Sequence, residues 1–154
     1  MKNIKAILFW VLSSTWGIIM TVIGLLAIIV CSIIGKRRPR MYKNSLYVEF
    51  GSPTWGGVNF GPFFIVDTDT NPDIVMHEWG HGIQNIILGP LFPFLVAIPS
   101  FTRYWYRRYV VKSGHVEPSK LPPYDSVWFE GWATKIGKKY YSEEDYAKSR
   151  KFSI

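Results

Sequence analysis

The chain has 154 residues, of which 48% are hydrophobic and 19% charged, and it carries a net charge of +7; this balance is too apolar for a disordered polymer, and outside its longest apolar run the chain suffices for one small core, not two. A single cysteine, Cys31, excludes both an intrachain disulfide framework and a cysteine-rich metal site. The basic residues cluster after apolar segments (Lys36, Arg37, Arg38, Arg40 and Lys43; then Arg103, Arg107, Arg108 and Lys112) without any nucleic-acid motif, so a bilayer is the expected partner and nucleic acid is not.

Residues 6–35 contain no Asp, Glu, Lys or Arg. Thirty helical residues reach ~45 Å, longer than a ~30 Å hydrocarbon core and too short for two crossings. The run predicts one tilted transmembrane helix, best inserted over residues 16–34, with Trp10 and Trp16 at the interface. It exceeds a signal-peptide apolar region and lacks an Ala-x-Ala site, which favours an uncleaved anchor. Five basic residues follow the run, against Lys2, Lys5 and the terminal amine before it. The expectation is a single-pass membrane protein with residues 1–35 as anchor and residues 36–154 as one cytoplasmic domain.

Residues 45–50 alternate as a strand does, Gly51, Pro53, Gly56 and Gly57 interrupt them, and residues 63–66 form a second short strand, predicting a hairpin or small sheet with 63–66 as an edge. Asn71 caps a helix starting at Pro72, which continues through Met76, Ile83 and Ile87 to a stop at Gly89-Pro90. Residues 86–101 are apolar but contain Gly89, Pro90, Pro93 and Pro99, so they lie in the interface or re-enter instead of spanning. Phe101, Tyr104, Trp105, Tyr106 and Tyr109, interleaved with arginines, suit a headgroup-level belt. Residues 118–123 read as a rigid linker, Asp125 or Ser126 as the cap of a helix ending at Gly137, and Ser142 with Glu143, Glu144 and Asp145 as the start of a last helix. The fold class is α+β.

The chemistry is concentrated in the first of these helices, at His77-Glu78-Trp79-Gly80-His81. Spacing i, i+4 sets both imidazoles on one helical face, where their nitrogens can converge on one zinc ion, and Glu78 at the edge of that face can reach a metal-bound water as general base. The extended three-histidine form of the motif needs a histidine at position 87, where this chain has Ile87. Candidates for the third ligand are His115, Glu117, Asp125 and Glu130. Glu130 is preferred because it lies among Trp128, Phe129, Trp132 and Ala133, where an unpaired carboxylate is costly to bury and a metal supplies the partner. Tyr124 and His115 are candidate oxyanion donors, although His115, beside Gly114 in a loop, reads first as an exposed residue. Gln84 and Asn85, a turn beyond His81, either bond to the ligands from outside or form a polar face.

His77-Glu78-x-x-His81 followed by Glu130-x-x-Ala133 on a second helix resembles the gluzincins, in particular the small membrane-associated gluzincins related to the prenyl-protein endopeptidases. The resemblance covers the two motif helices and the strand before them. It implies a zincin-like fold, Zn²⁺ held by His77, His81 and Glu130, Glu78 as general base and then general acid, and a peptide or membrane-protein substrate. Thr134 stands where that family usually carries an acidic residue bonded to a ligand histidine, and offers the bond without the charge. The reading is a membrane zinc metalloprotease whose strand 63–66 holds an extended substrate. Its alternatives are a non-catalytic zinc-binding membrane protein and a zinc hydrolase of lipid or small-amide substrates.

Overall fold

The charge-free run folds as two helices. In a computed structural model, which describes residues 2–151, α1 spans Lys2–Thr15 and α2 spans Ile18–Gly35. The break falls at Gly17, whose N–H reaches the Leu12 carbonyl at 2.9 Å. Thr21 Oγ1 bridges it by donating to the carbonyls of Ser13 (2.7 Å) and Gly17 (3.2 Å). Gly17 also lets the chain approach Asn85, whose side-chain nitrogen would lie 2.3 Å from any Cβ placed there. The expected single helix over residues 6–35 is thus corrected, because tertiary contact at Gly17 overrides helical continuity. α2 by itself is long and apolar enough to cross a membrane, its 18 residues rising about 27 Å.

One stripe of α2 packs on the sheet. Ile28 joins Val48, Phe63 and Ile65, while Met20 joins Phe92, Val96 and Phe129. Gly24 between them admits Phe60 and Phe63, with Phe60 Cβ 2.7 Å from where a side chain would start. Ile19, Val22, Ile23, Leu26, Ile29, Val30 and Ile33 form the other side and are exposed, a continuous apolar surface that water does not favour and a bilayer does. The helix is therefore built against the domain along its length.

The sheet contains β1 (Arg40–Tyr42), β2 (Ser45–Glu49), β3 (Gly57–Phe60) and β4 (Phe63–Val66) in the order β1-β2-β4-β3. β4 runs parallel to β2 and antiparallel to β3. Residues 63–66 are therefore an interior strand, all four buried, and not the edge the sequence suggested. The edges are β1 and β3, and β3 was hidden because Gly57 and Asn59 depress strand propensity. Both faces of the sheet are covered. Tyr47, Phe64 and Val66 pack with Tyr42 against Val75 and Trp79, opposite the α2 side.

α3 (Pro72–Leu88) starts as read, with Asn71 Oδ1 accepting from the Ile74 N–H at 3.1 Å and Pro72 in the first turn. After Leu88 come a 3-10 turn, Gly89–Leu91, a π turn, Pro93–Ala97, and α4, Ile98–Lys112; the helical path bends by 118° between Leu91 and Pro93. Residues 86–101 are thus no regular helix, as their prolines require, and Leu91, Phe94, Leu95, Ile98 and Phe101 face outward.

α5 (Trp128–Tyr140) departs from expectation at both ends. Val127 is its N-cap without a side-chain bond, Asp125 and Ser126 lying instead in the 3-10 turn Tyr124–Ser126. Gly137 is inside the helix because it packs on α3. A Cβ at Gly137 would lie 2.5 Å from the Met76 carbonyl oxygen, and one at Gly80 would lie 2.2 Å from that of Ala133. The two helices touch backbone to backbone. α6 (Glu143–Lys151) has Ser142 Oγ accepting from the Asp145 N–H at 3.3 Å and is tied to the sheet by the Lys43–Asp145 ion pair at 2.6 Å.

Leu26→Arg puts a charge on the outer face of α2 at a cost of about 2.5–3.5 kcal/mol in a bilayer. The expected outcome is that the wild-type chain resists carbonate extraction from membranes and the variant is released or degraded. A wild-type chain fully extracted by carbonate shows that α2, though long and apolar enough to cross, does not span.

Candidate metal centre

His77 and His81 lie one turn apart on α3, and the close α3–α5 contact brings Glu130, in the first turn of α5, across from them. Glu130 Oε2 is 3.0 Å from His77 Nε2 and 3.2 Å from His81 Nε2, and the two Nε2 atoms are 3.1 Å apart. Bonds of ~2.0–2.2 Å from one metal ion reach all three corners of this triangle. No other group of three His, Cys, Asp or Glu side chains among the described residues is so disposed.

The surrounding hydrogen bonds settle what the corners offer. Gln84 Nε2 donates to the Phe129 carbonyl at 2.7 Å, so its Oε1, an acceptor only, meets His81 Nδ1 at 2.7 Å. This network assigns the proton to His81 Nδ1 and turns the Nε2 lone pair into the cluster. Thr134 Oγ1 stands 3.0 Å from His77 Nδ1 and orients that ring, as donor or acceptor. Glu130 is fully buried, and its Oε1 has no hydrogen-bond partner. Lone pairs crowded beside a buried carboxylate repel one another, and a cation relieves that repulsion. Metal-free, the triangle closes only with a proton between a histidine Nε2 and Glu130. Burial would raise the Glu130 carboxyl, but hydrogen bonds from His77 and His81 outweigh it and hold the group below the usual carboxylate range. The residues present fit a metal ion.

Glu78 is buried beside the cluster with its carboxyl group against β3; a Cβ at Gly57 would lie 2.7 Å from Glu78 Oε1. Burial pushes this carboxyl up to about 8; His77 pulls it down and Glu130 pushes it up, both by less. Asn59 locks β3 in place, its Nδ2 donating to the Glu78 carbonyl at 2.8 Å and to the Gly61 carbonyl at 3.1 Å while its Oδ1 accepts from the Gly61 N–H at 2.7 Å. Gly57 and Asn59 were missed from the sequence, since only the register of β3 against α3 gives them a role.

Of the other candidates, Tyr124 and Gln84 come to the site and His115 does not. The half-buried Tyr124 lies 3.5 Å from Ser100 Oγ, and burial, with the Glu130 charge next, pushes its hydroxyl up to about 12. The guanidiniums of Arg103 and Arg107 sit 5.7 and 5.6 Å from the centre of its ring. His115 is exposed after α4, stacked on Tyr109 and bonded to Ser113, the exposed position that its loop setting favoured. Asn85 turns toward Gly17 and Gly61 instead of the cluster. Glu117 pairs with Lys120, and Asp125 stays in its turn, so neither joins the histidines.

No protein-family model, curated protein or solved structure matches this chain.

Two outcomes follow from this geometry. Gln84→Ala frees the His81 ring and is expected to weaken metal affinity by about 10–100-fold, read by competition with a chromogenic chelator. In metal-free protein the raised Glu78 carboxyl means that the folded state holds a proton the unfolded chain releases above pH ~4.5. Stability then falls as pH rises from there to about 8. Glu78→Gln removes this loss, so its melting temperature is expected to exceed wild type by several degrees at pH 9, with the gap closing towards pH 4. A gap independent of pH contradicts the buried, proton-holding carboxyl.

Proposed function

We propose that this protein is a membrane-anchored zinc metallopeptidase of gluzincin type. The observation that carries the reading is the convergence of His77 Nε2, His81 Nε2 and Glu130 Oε2 within 3.0–3.2 Å, with the Glu78 carboxyl buried next to them. His77, His81 and Glu130 would hold the ion, a two-nitrogen, one-oxygen set that suits zinc with a position left open. When bound, zinc supplies Lewis-acid polarisation of a carbonyl and acidifies a water molecule.

The remaining work belongs to the chain. Glu78, buried beside the cluster, takes a proton at its carboxylate and returns it to the leaving amine. Tyr124 keeps its proton across the physiological range and supports charge on a substrate oxygen by donating from its hydroxyl. β3 replaces residues 63–66 as the strand that orients the substrate. The Asp67 N–H bonds to the Gly56 carbonyl at 2.8 Å, and the register pairs Gly57 with Val66 and Asn59 with Phe64. By antiparallel alternation the backbone N–H and C=O groups of Gly57 and Asn59 point away from β4, to the free edge. An extended peptide added there runs beside Glu78, and the missing side chain of Gly57 keeps the carboxyl group in reach. The free edge favours a peptide over a lipid ester or small amide. The basic excess after α2 sets the Lys36 end of the helix on the cytoplasmic side.

The test uses the full chain in detergent. Wild type is expected to bind one zinc per chain and to cleave unstructured or membrane-anchored peptides. Glu130→Ala loses the metal, while Glu78→Gln keeps it and loses cleavage by about 10²–10⁴-fold. Metal binding with no Glu78-dependent peptide cleavage overturns the peptidase reading, and turnover of lipid or ester substrates in its place assigns the other hydrolase class.

A further inference from the structure

The densest positive charge in the molecule lies away from the metal centre, at the end of α2. Lys36, Arg37, Arg38 and Arg40, which follow that helix directly, line a cavity of about 180 Å³ together with Glu49 of β2. The cavity exists because the chain turns sharply there. Lys36 caps the helix at φ +50°, its N–H bonded to the Ile33 carbonyl at 3.3 Å and that of Arg37 to the Ser32 carbonyl at 3.2 Å. The turn gathers basic side chains that a straight strand would splay to opposite faces.

Glu49 organises this charge without cancelling it. The residue is 5% exposed; its Oε1 accepts from Arg40 Nη1 at 2.6 Å and from Arg150 of α6, and its Oε2 faces Arg37 Nη1 at 3.9 Å. One buried carboxylate therefore hydrogen-bonds the guanidiniums of Arg40 and Arg150 and attracts that of Arg37 at longer range. Lys36 and Arg38 remain exposed and have no ion-pair partner among the described residues. Oriented guanidiniums beside unpaired cations are a receptor for an oxyanion. At about 180 Å³ the cavity is well below the ~300–1,000 Å³ of pockets for drug-sized ligands, which selects a small anionic group.

Its place in the fold selects the source of that group. The cavity begins one residue after an apolar helix of 18 residues, at the depth where bilayer phosphates lie. Ile33 and Ile34, 72% and 66% exposed, lead from the outer face of α2 to the edge of the cavity. An acyl chain can lie along that face while its headgroup enters. We propose that the cavity lined by Lys36, Arg37, Arg38 and Arg40 binds the headgroup phosphate of an anionic phospholipid, fixing the height of the domain at the membrane. The site depends on α2 lying in the bilayer, and is independent of the zinc chemistry.

The test titrates the full chain in detergent with short-chain phosphatidylglycerol, short-chain phosphatidylcholine and inorganic phosphate, with binding read by native mass spectrometry. The variants are Lys36→Gln/Arg38→Gln, which spares every Glu49 pairing, and Lys138→Gln/Lys139→Gln, which removes the same charge on α5. Phosphatidylglycerol is expected to bind at least tenfold tighter than phosphatidylcholine, the first variant to lose tenfold or more, and the second to match wild type. Melting temperature without lipid, zinc content and any peptide cleavage should be unchanged in both, so failure here is separable from failure of the peptidase reading. Equal affinity for the two lipids, equal loss in the two variants, or inorganic phosphate binding as tightly as the lipid each overturns the proposal.

Discussion

Backbone contact between α3 and α5 is the constraint on which the site depends. Gly80 and Gly137 remove two side chains from the interface, and the carbonyls of Ala133 and Met76 occupy that space. At an ordinary interaxial distance of 8–10 Å, a glutamate on α5 would meet the histidines only by extending across a gap. Closer contact puts Glu130 Oε2 between two imidazoles and leaves its Oε1 without a hydrogen bond among the described residues. Gln84 is held by the Phe129 carbonyl of the same facing helix, so one contact both delivers a ligand and aims the ring of another.

The sheet supplies the second wall. It is sandwiched between α2 on one face and α3 on the other, so its interior strand β4 reads as an unbroken apolar run instead of an alternating one. The same layering makes β3, with its glycine and asparagine, the strand beside the site. Asn59 spends its side chain on the backbone of Glu78 and Gly61. Gly57 leaves room for a carboxyl group that would otherwise be displaced. Poor strand residues are retained where they fit the neighbouring helix.

Charge in this chain is divided between buried organisers and exposed receivers. Glu130 and Glu49 are each buried carboxylates that collect basic partners, histidines in one case and arginines in the other. Burying either carboxylate without a partner is costly. Among the described residues each leaves spare capacity nearby, an Oε1 without a hydrogen bond at the metal centre and two cations without an ion pair at the end of α2.

Sequence by itself determined the elements whose signals are local. The Asn71-Pro72 start of α3, the His77–His81 spacing, the strands at 45–49 and 63–66, the proline-broken segment after Leu88 and the Ser142 cap all depend on residues within a turn or two of one another. The aromatic setting of Glu130 was also legible, because burying an unpaired carboxylate among Trp128, Phe129 and Trp132 demands a partner. Tertiary structure alone decided that β4 is interior and β3 the edge, since strand order depends on pairings between separate segments. It decided that residues 6–35 break at Gly17, because Asn85 of α3 lies there, and that Gly137 continues α5, because Met76 packs on it. It also brought Thr134 and Gln84 to the histidines and Arg150 to Glu49, across 57, 3 and 101 residues of chain respectively. Even the shortest of these depends on a distant residue, for Gln84 is aimed at His81 by the carbonyl of Phe129. Periodicity and capping are written between neighbours, whereas lone pairs converge only when packing brings remote segments together.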